Sequence, residues 1–239
     1  MSWHQGLLVS FDLETTGTDV EQDRIVTAAL LRLEGDGRPA AKLTWLVDPG
    51  VPIPDEAAAI HGISTAYVQE HGRPPATAIE EITEALADAL RAEIPLVVMN
   101  ARYDLSLLDR ECRRHGLRTL TERLGHAPAP VIDPLVLDKH VDRYRKGKRA
   151  LQALCGHYGV RLDGAHEAGA DAAAAAGVAR RIGEKYPAVA LPSPRALHTL
   201  QEQAAAEQAA SFQAYLRRSG DPRAIVEPAW PLIPYQAGA

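Results

Sequence analysis

The sequence predicts an α/β protein: a five-stranded mixed sheet with helices on both faces, followed by a C-terminal helical extension. Three observations point there. Near the N-terminus, three strand-like runs are joined by short links, as in an antiparallel meander. Beyond them, short apolar runs alternate with segments of helical periodicity, the signature of parallel strands buried under helices. Ala is abundant and aromatics make up only 5% of the residues, which favours close-packed helices over a β-sandwich.

The first strand is expected over residues 7–12, an apolar run ending at Asp12. The second spans 23–33 and is closed by the turn signal Gly35-Asp36-Gly37. Residues 42–47 begin with polar–apolar alternation and read as the third strand. Pro49, Pro52 and Pro54 then interrupt regular structure, and 55–60 reads as a short helix ending at His61-Gly62. Thr77 with Glu80 three residues on predicts a capping box, opening a helix that carries Ile79, Ile82, Leu86 and Leu90. Residues 95–99 form a short apolar strand, 103–115 a helix, and Val131-Ile132 a fifth strand followed by a helix from Pro134. Two more helices are expected at 149–157 and 168–186, the latter rich in Ala. Composition shifts after Tyr186-Pro187, dividing the chain into a domain over 1–187 and an extension over 188–239. The extension holds a helix at 195–218, with Leu197, Leu200, Ala204, Phe212, Tyr215 and Leu216 on an apolar side, either packed on the domain or free for a partner.

The 239 residues are 46% hydrophobic, enough for a substantial core, and the net charge is −5. The chain is therefore not a generally basic nucleic-acid coat; a nucleic acid would be held by a local patch or by cations reversing the sign of an acidic site. Cys112 and Cys155 fall in helical segments without a Cys-x-x-Cys or Cys/His cluster, as buried thiols in a reducing cytoplasm would. No secretory signal is visible, and no apolar run approaches a membrane span.

The chemistry concentrates in Asp12-Leu13-Glu14-Thr15-Thr16-Gly17. Residues i and i+2 of a strand face the same way, so Asp12 and Glu14 project together. Adjacent carboxylates repel unless a cation lies between them, and a hard divalent cation takes such oxygen ligands. Two further segments carry acids in early helical turns: Asn100-Ala101-Arg102-Tyr103-Asp104 and His166-Glu167-Ala168-Gly169-Ala170-Asp171. Taken alone, each acid suits a helix start through the macrodipole. A spacing of five does not align side chains on a helix, so His166 is expected on the preceding loop, where it can swing over a site lined by Asp171.

Together these segments resemble the DEDDh family of 3′-to-5′ exonucleases, which share a ribonuclease H-like fold. Asp12 and Glu14 match the first motif, Asp104 the second, and His166 with Asp171 the third; Ile60-His61-Gly62-Ile63-Ser64 is similar to the family's His-Gly-Ile segment. The resemblance spans roughly 7–185, with Tyr103 where Phe is usual and Leu107-Leu108 for Phe-Leu. It implies two cations, Mg²⁺ or Mn²⁺, held by Asp12, Glu14, Asp104 and Asp171, with His166 taking a proton from the attacking water. It also implies a substrate surface of Leu13, Thr15, Thr16, Ile60, His61, Asn100 and Tyr103, and 5′-nucleoside monophosphates released from DNA 3′ ends, single-stranded or mismatched. The reading requires Asp104 and Asp171 to lie within about 12 Å of the Asp12/Glu14 pair.

An oligoribonuclease-like or ribonuclease T-like enzyme acting on RNA is the nearest rival, although Thr15-Thr16 favours DNA. A non-catalytic polymerase-accessory module is the other; a complete metal cage argues against it. Association with a polymerase or clamp has no support, since the tail lacks a glutamine-led clamp-binding peptide. The basic run 143–149 reads either as a solvated loop or as a phosphate-tracking surface.

Overall fold

The computed structural model describes residues 2–236. Five strands form one sheet: β1 (Leu8–Thr15), β2 (Ile25–Leu33), β3 (Pro39–Leu46), β4 (Leu96–Val97) and β5 (Val131–Ile132), in the order β3-β2-β1-β4-β5. The meander β1–β3 is antiparallel, while β4 and β5 run parallel to β1. The expected mixed sheet is therefore present.

Among the described residues ten α-helices surround it: α1 (Asp55–His61), α2 (Thr65–His71), α3 (Pro75–Arg91), α4 (Ala101–Arg114), α5 (Leu120–Leu124), α6 (Pro134–Val141), α7 (Leu151–Tyr158), α8 (Ala168–Lys185), α9 (Pro187–Ala190) and α10 (Pro194–Arg218). α2, α5 and α9 were not predicted. The capping box expected at Thr77–Glu80 does not form, because α3 starts earlier, at Pro75. A proline at the first helical position lacks only an N–H that has no helical partner anyway. The capping box that exists joins Thr119 and Glu122 at the start of α5.

Strand alternation sorts β1 between two cores. Val9, Phe11 and Leu13 pack among Ile79, Ile82 and Leu86 of α3 and Leu105 and Leu108 of α4. On the opposite face Leu8 lies among Ala175, Val178 and Ile182 of α8. Ser10 follows on that side, its hydroxyl donating to Ala172 O at 2.6 Å, so Asp12 and Glu14 continue along the α8 face. Small alanines let α8 approach the sheet this closely: Ala172, Ala175, Ala176 and Ala179 are all essentially inaccessible to solvent. Both cysteines are buried and free.

Arg180 of α8 closes the far end of this packing. Its guanidinium donates to the carbonyls of His4, Gly6, Glu34 and Gly35, tying the N-terminal turn and the β2–β3 turn to one helix. Replacing Arg180 by Met would leave four carbonyls without their donor. We expect a loss of about 3 kcal/mol in denaturant unfolding, where a loss under about 1 kcal/mol would show that the clamp is dispensable.

The C-terminal segment packs along β5, the sheet's edge. His198 Nδ1 accepts from Val131 N, and the Gln201 amide accepts from Asp133 N while donating to Val131 O. These side chains of α10 satisfy backbone groups that an exposed edge would leave open. Beyond α10, Trp230 Nε1 donates to Asp133 and Ile233 N to Ser106.

Candidate active site

β1 pairs with β4 only at Val9–Leu96 and Ser10–Val97. Past Ser10 its β4-side edge is open, and the N-terminal turn of α4 fills the gap. Leu13 N donates there to Asp104 Oδ1 at 3.1 Å. A carboxylate from the second motif thus meets the residue between Asp12 and Glu14, at the carboxyl end of the parallel strands where α/β sheets open into crevices. A second buried carboxylate holds α4 in place. Asp133 accepts from Asn100 N, Ala101 N, Leu135 N and Trp230 Nε1, joining α4, α6 and the C-terminal segment.

The third segment arrives from the other side. α8 begins at Ala168, so His166 lies on the loop before it, as expected, with φ 67°. Its amide donates to Asp171 Oδ2 at 3.2 Å. One ligand atom each from Glu14, His166 and Asp171 lie within 4.8 Å of one another. The convergence that the sequence reading required is therefore met: Asp171 directly against Glu14, and Asp104 through the amide of Leu13.

The electrostatics are those of a site built for cations. Burial, then repulsion from Asp104, Asp171 and Glu14, holds the Asp12 carboxyl well above the ordinary carboxylate range. Burial and then Asp171 push Glu14 up to about 7. Burial likewise raises Asp104, against the hydrogen bond from Leu13, and Asp171, against the bond from His166. Asp171 Oδ1 is buried without any hydrogen-bond partner. An orphaned carboxylate oxygen within a cluster of hard oxygen donors fits a divalent cation, which would satisfy it and cancel the repulsion.

This has a consequence without metal. An acid that binds its proton more tightly when folded weakens the fold once the unfolded chain ionises. For Glu14 the deficit grows between its unfolded value of 4.5 and its folded value of about 7, and is complete above that. Metal-free Glu14→Gln should therefore be more stable than metal-free wild type by ~2 kcal/mol at about pH 8, allowing for partial solvent access, with the gap closing towards about pH 5. Thermal melts in EDTA across that range check this; a gap independent of pH would contradict it.

The substrate-facing residues are distributed unevenly. Leu13 and Thr16, both expected on the substrate surface, have their amides engaged internally: Leu13 N on Asp104 and Thr16 N on Arg24 O. Open strand edges near buried acids are satisfied first from within. Thr15 Oγ1 and Tyr103 Oη lie 2.9 Å apart and both donate to Gly17 O. Gly17 is required for another reason, since a Cβ there would stand 2.5 Å from the Asp23 carboxylate that accepts from the Thr16 hydroxyl. Ile60 is exposed at the rim, and Asn100 caps α4 in a left-handed conformation. His61 ends α1, with Gly62 left-handed behind it; Ile63 N donates to its Nδ1, and its Nε2 is buried and unpartnered. Burial lowers the pKa of this ring, partly offset by the neighbouring Thr15 backbone, so its neutral form is favoured. Glu14, His61 and His166 line one cleft of about 440 Å³ with Lys42 and Tyr67.

Sequence reasoning missed Asp133 and Ser10, which orient the acids without belonging to any motif. Of the basic run 143–149, Arg145 and Arg149 donate to buried Asp138, so two of its cations are structural.

Residues 9–179 match the exonuclease family RNase_T. Over 166 residues the chain is 29% identical to the PolC-type DNA polymerase III of Lacticaseibacillus paracasei, a match covering 70% of this chain and 10% of that protein. Among solved structures, the zinc-ion-bound form of the Escherichia coli Exonuclease I–ssDNA complex superimposes with a TM-score of 0.65 at 19% identity, covering 77% of this chain and 42% of that one. A moderately thermophilic Exonuclease I from Methylocaldum szegediense gives 0.61 at 24% identity, covering 88% and 46%. At such identities the structural likeness shows the fold, that of the ribonuclease H-like exonucleases. The chain spans about a tenth of the curated relative and under half of either structural neighbour. Among the described residues no helix is long and apolar enough to cross a membrane.

Proposed function

The chain belongs to the RNase_T exonuclease family, and on that basis we propose that it is a metal-dependent 3′-to-5′ exonuclease releasing 5′-nucleoside monophosphates from DNA 3′ ends. The observation that carries the reading is the convergence of Asp104 and Asp171 on the Asp12/Glu14 pair, with the unpartnered Asp171 oxygen and the His166 ring beside them. Asp12, Glu14, Asp104 and Asp171 would hold the cations, two Mg²⁺ or Mn²⁺ ions, which would supply neutralisation of charge on the entering and leaving oxygens of an in-line displacement at phosphorus.

The protein's own groups do the rest. His166 accepts the proton of the attacking water, its loop position letting the ring reach over Glu14 and Asp171. His61 borders the cleft that would receive the terminal nucleotide, and exposed Ile60 offers an apolar surface to the terminal sugar or base. Tyr103 keeps its hydroxyl protonated, since burial lifts it to about 12, and so serves as a neutral wall fixed to Gly17. DNA rather than RNA is favoured by two comparisons: the curated relative is a DNA polymerase, and a solved neighbour is described in complex with ssDNA.

The test is a nuclease assay on matched DNA and RNA oligomers labelled at either end, with Mg²⁺, with Mn²⁺ and with EDTA. The expected result is stepwise shortening from the 3′ end of DNA, abolished by EDTA. Degradation from the 5′ end, or activity undiminished in EDTA, would overturn the proposal; faster hydrolysis of RNA would transfer it to the exoribonuclease reading.

A further inference from the structure

Phe212 and Tyr215 stand on the apolar side expected of α10, and the two rings are 52% and 56% exposed. They lie near-parallel, 14° apart with centroids separated by 6.4 Å. They belong to a stretch beyond residue 179, where the family match ends. Such a pair is an unexplained apolar surface, and its surroundings identify what it faces.

The rings border a cavity of about 600 Å³ between α6, the loop 142–149 and α10, which Lys139, Arg143 and Tyr144 also line. That cavity shares Lys139, Gln208 and Phe212 with a second one, and the second shares Asn100 and Arg102 with a third that reaches Tyr103. These three neighbouring cavities mark out the course of a groove from Tyr103, beside Asp104, along α6 to the far half of α10. Among the described residues neither Arg102, Lys139 nor Arg143 forms an ion pair, unlike Arg145 and Arg149. Two exposed carboxylates, Asp19 and Glu207, border the groove; Asp133 is buried in its wall and saturated by N–H donors. Free cations interleaved with exposed aromatic faces are what a single-stranded nucleic acid binds without regard to sequence, phosphates to cations and bases to rings.

We infer that this groove carries the single strand running 5′-ward from the 3′ end at the carboxylates, its phosphates following Lys139 and Arg143 and its bases lying on Phe212 and Tyr215. The inference rests on the exonuclease reading for its substrate. It makes the C-terminal segment a substrate track rather than a surface for a protein partner.

The full chain is compared with Phe212→Ala/Tyr215→Ala and with Arg143→Gln, all exposed positions, on single-stranded DNA of about 4 and about 16 nucleotides. For the double variant, KM on the longer substrate should rise about tenfold or more, while KM on the shorter one should change far less. Arg143→Gln should make the salt dependence of binding shallower by about 0.7 in the log–log slope. Variants that melt like wild type and degrade the longer substrate with unchanged KM would overturn the inference. If the chain hydrolyses no nucleic acid, the exonuclease reading fails on its own. The groove is then judged by fluorescence anisotropy with a labelled strand of about 16 nucleotides in EDTA, where weaker binding by the variants supports it and equal binding overturns it.

Discussion

Asp12→Asn will abolish metal-dependent hydrolysis, lowering the rate by about a thousandfold or more, and will at the same time make the metal-free protein more stable. The two effects have one cause. Asp12 lies on the α8 face of β1, where burial and the charges of Asp104, Asp171 and Glu14 all oppose its ionisation. Asparagine has nearly the same shape, so the strand, its pairing with Ala29 across β2 and the packing of α8 survive. What disappears is a negative charge that costs the apo fold stability and that cations require. Steady-state rates on end-labelled single-stranded DNA, alongside thermal melts in EDTA, test both halves. A variant that retains wild-type rate would remove Asp12 from the site. One that loses both rate and stability would mean that Asp12 serves the fold instead, and that the loss of activity says nothing about cation binding.

The parts of this site visible in the sequence are those encoded by short-range spacing. Asp12 and Glu14 share a face because strands have a period of two, and His166 stands before α8 because five residues do not fit a helical repeat. The five strands were equally legible as elements along the chain, since each is either an apolar run or one flanked by turn residues. What failed was of two kinds. α2 and α5 have seven and five residues, too few for periodicity to register, and the Thr119–Glu122 spacing that could have marked the start of α5 went unread. Asp133 and Ser10 act through contacts with segments distant in sequence, Asn100 and Trp230 in one case and Ala172 in the other, and no local pattern announces them. The internal partners of the Leu13 and Thr16 amides, Asp104 and Arg24, were hidden for the same reason, since they become neighbours only in the folded chain. The apolar side of α10 was half right, because Leu197 and Ala204 are buried while Phe212 and Tyr215, on the same helix, run past the end of what it packs against.

His166→Asn should lower turnover by about a hundredfold to ten-thousandfold while leaving Mg²⁺ affinity nearly unchanged. The choice of asparagine matters. His166 has φ 67°, a left-handed conformation that alanine adopts with strain and asparagine tolerates, so the loop and the bond from its amide to Asp171 persist. The substitution then removes only the imidazole. The geometry allows that ring two roles, because its ligand atom is within 4.8 Å of oxygens from both Glu14 and Asp171: it can close the cation cage, or it can stand beside the cage and take a proton. A ligand role predicts that affinity and rate fall together, and that excess Mn²⁺, which accepts imidazole more readily than Mg²⁺, restores part of the rate. A base role predicts unchanged calorimetric Mg²⁺ binding, a large loss in turnover with little change in KM, and partial rescue by free imidazole diffusing into the open cleft that Glu14 and His61 line. The exposed placement of His166 on a loop favours the second outcome, since the carboxylates around it already supply enough oxygen donors for hard cations. Parallel loss of Mg²⁺ affinity and turnover would reassign His166 from proton acceptor to ligand.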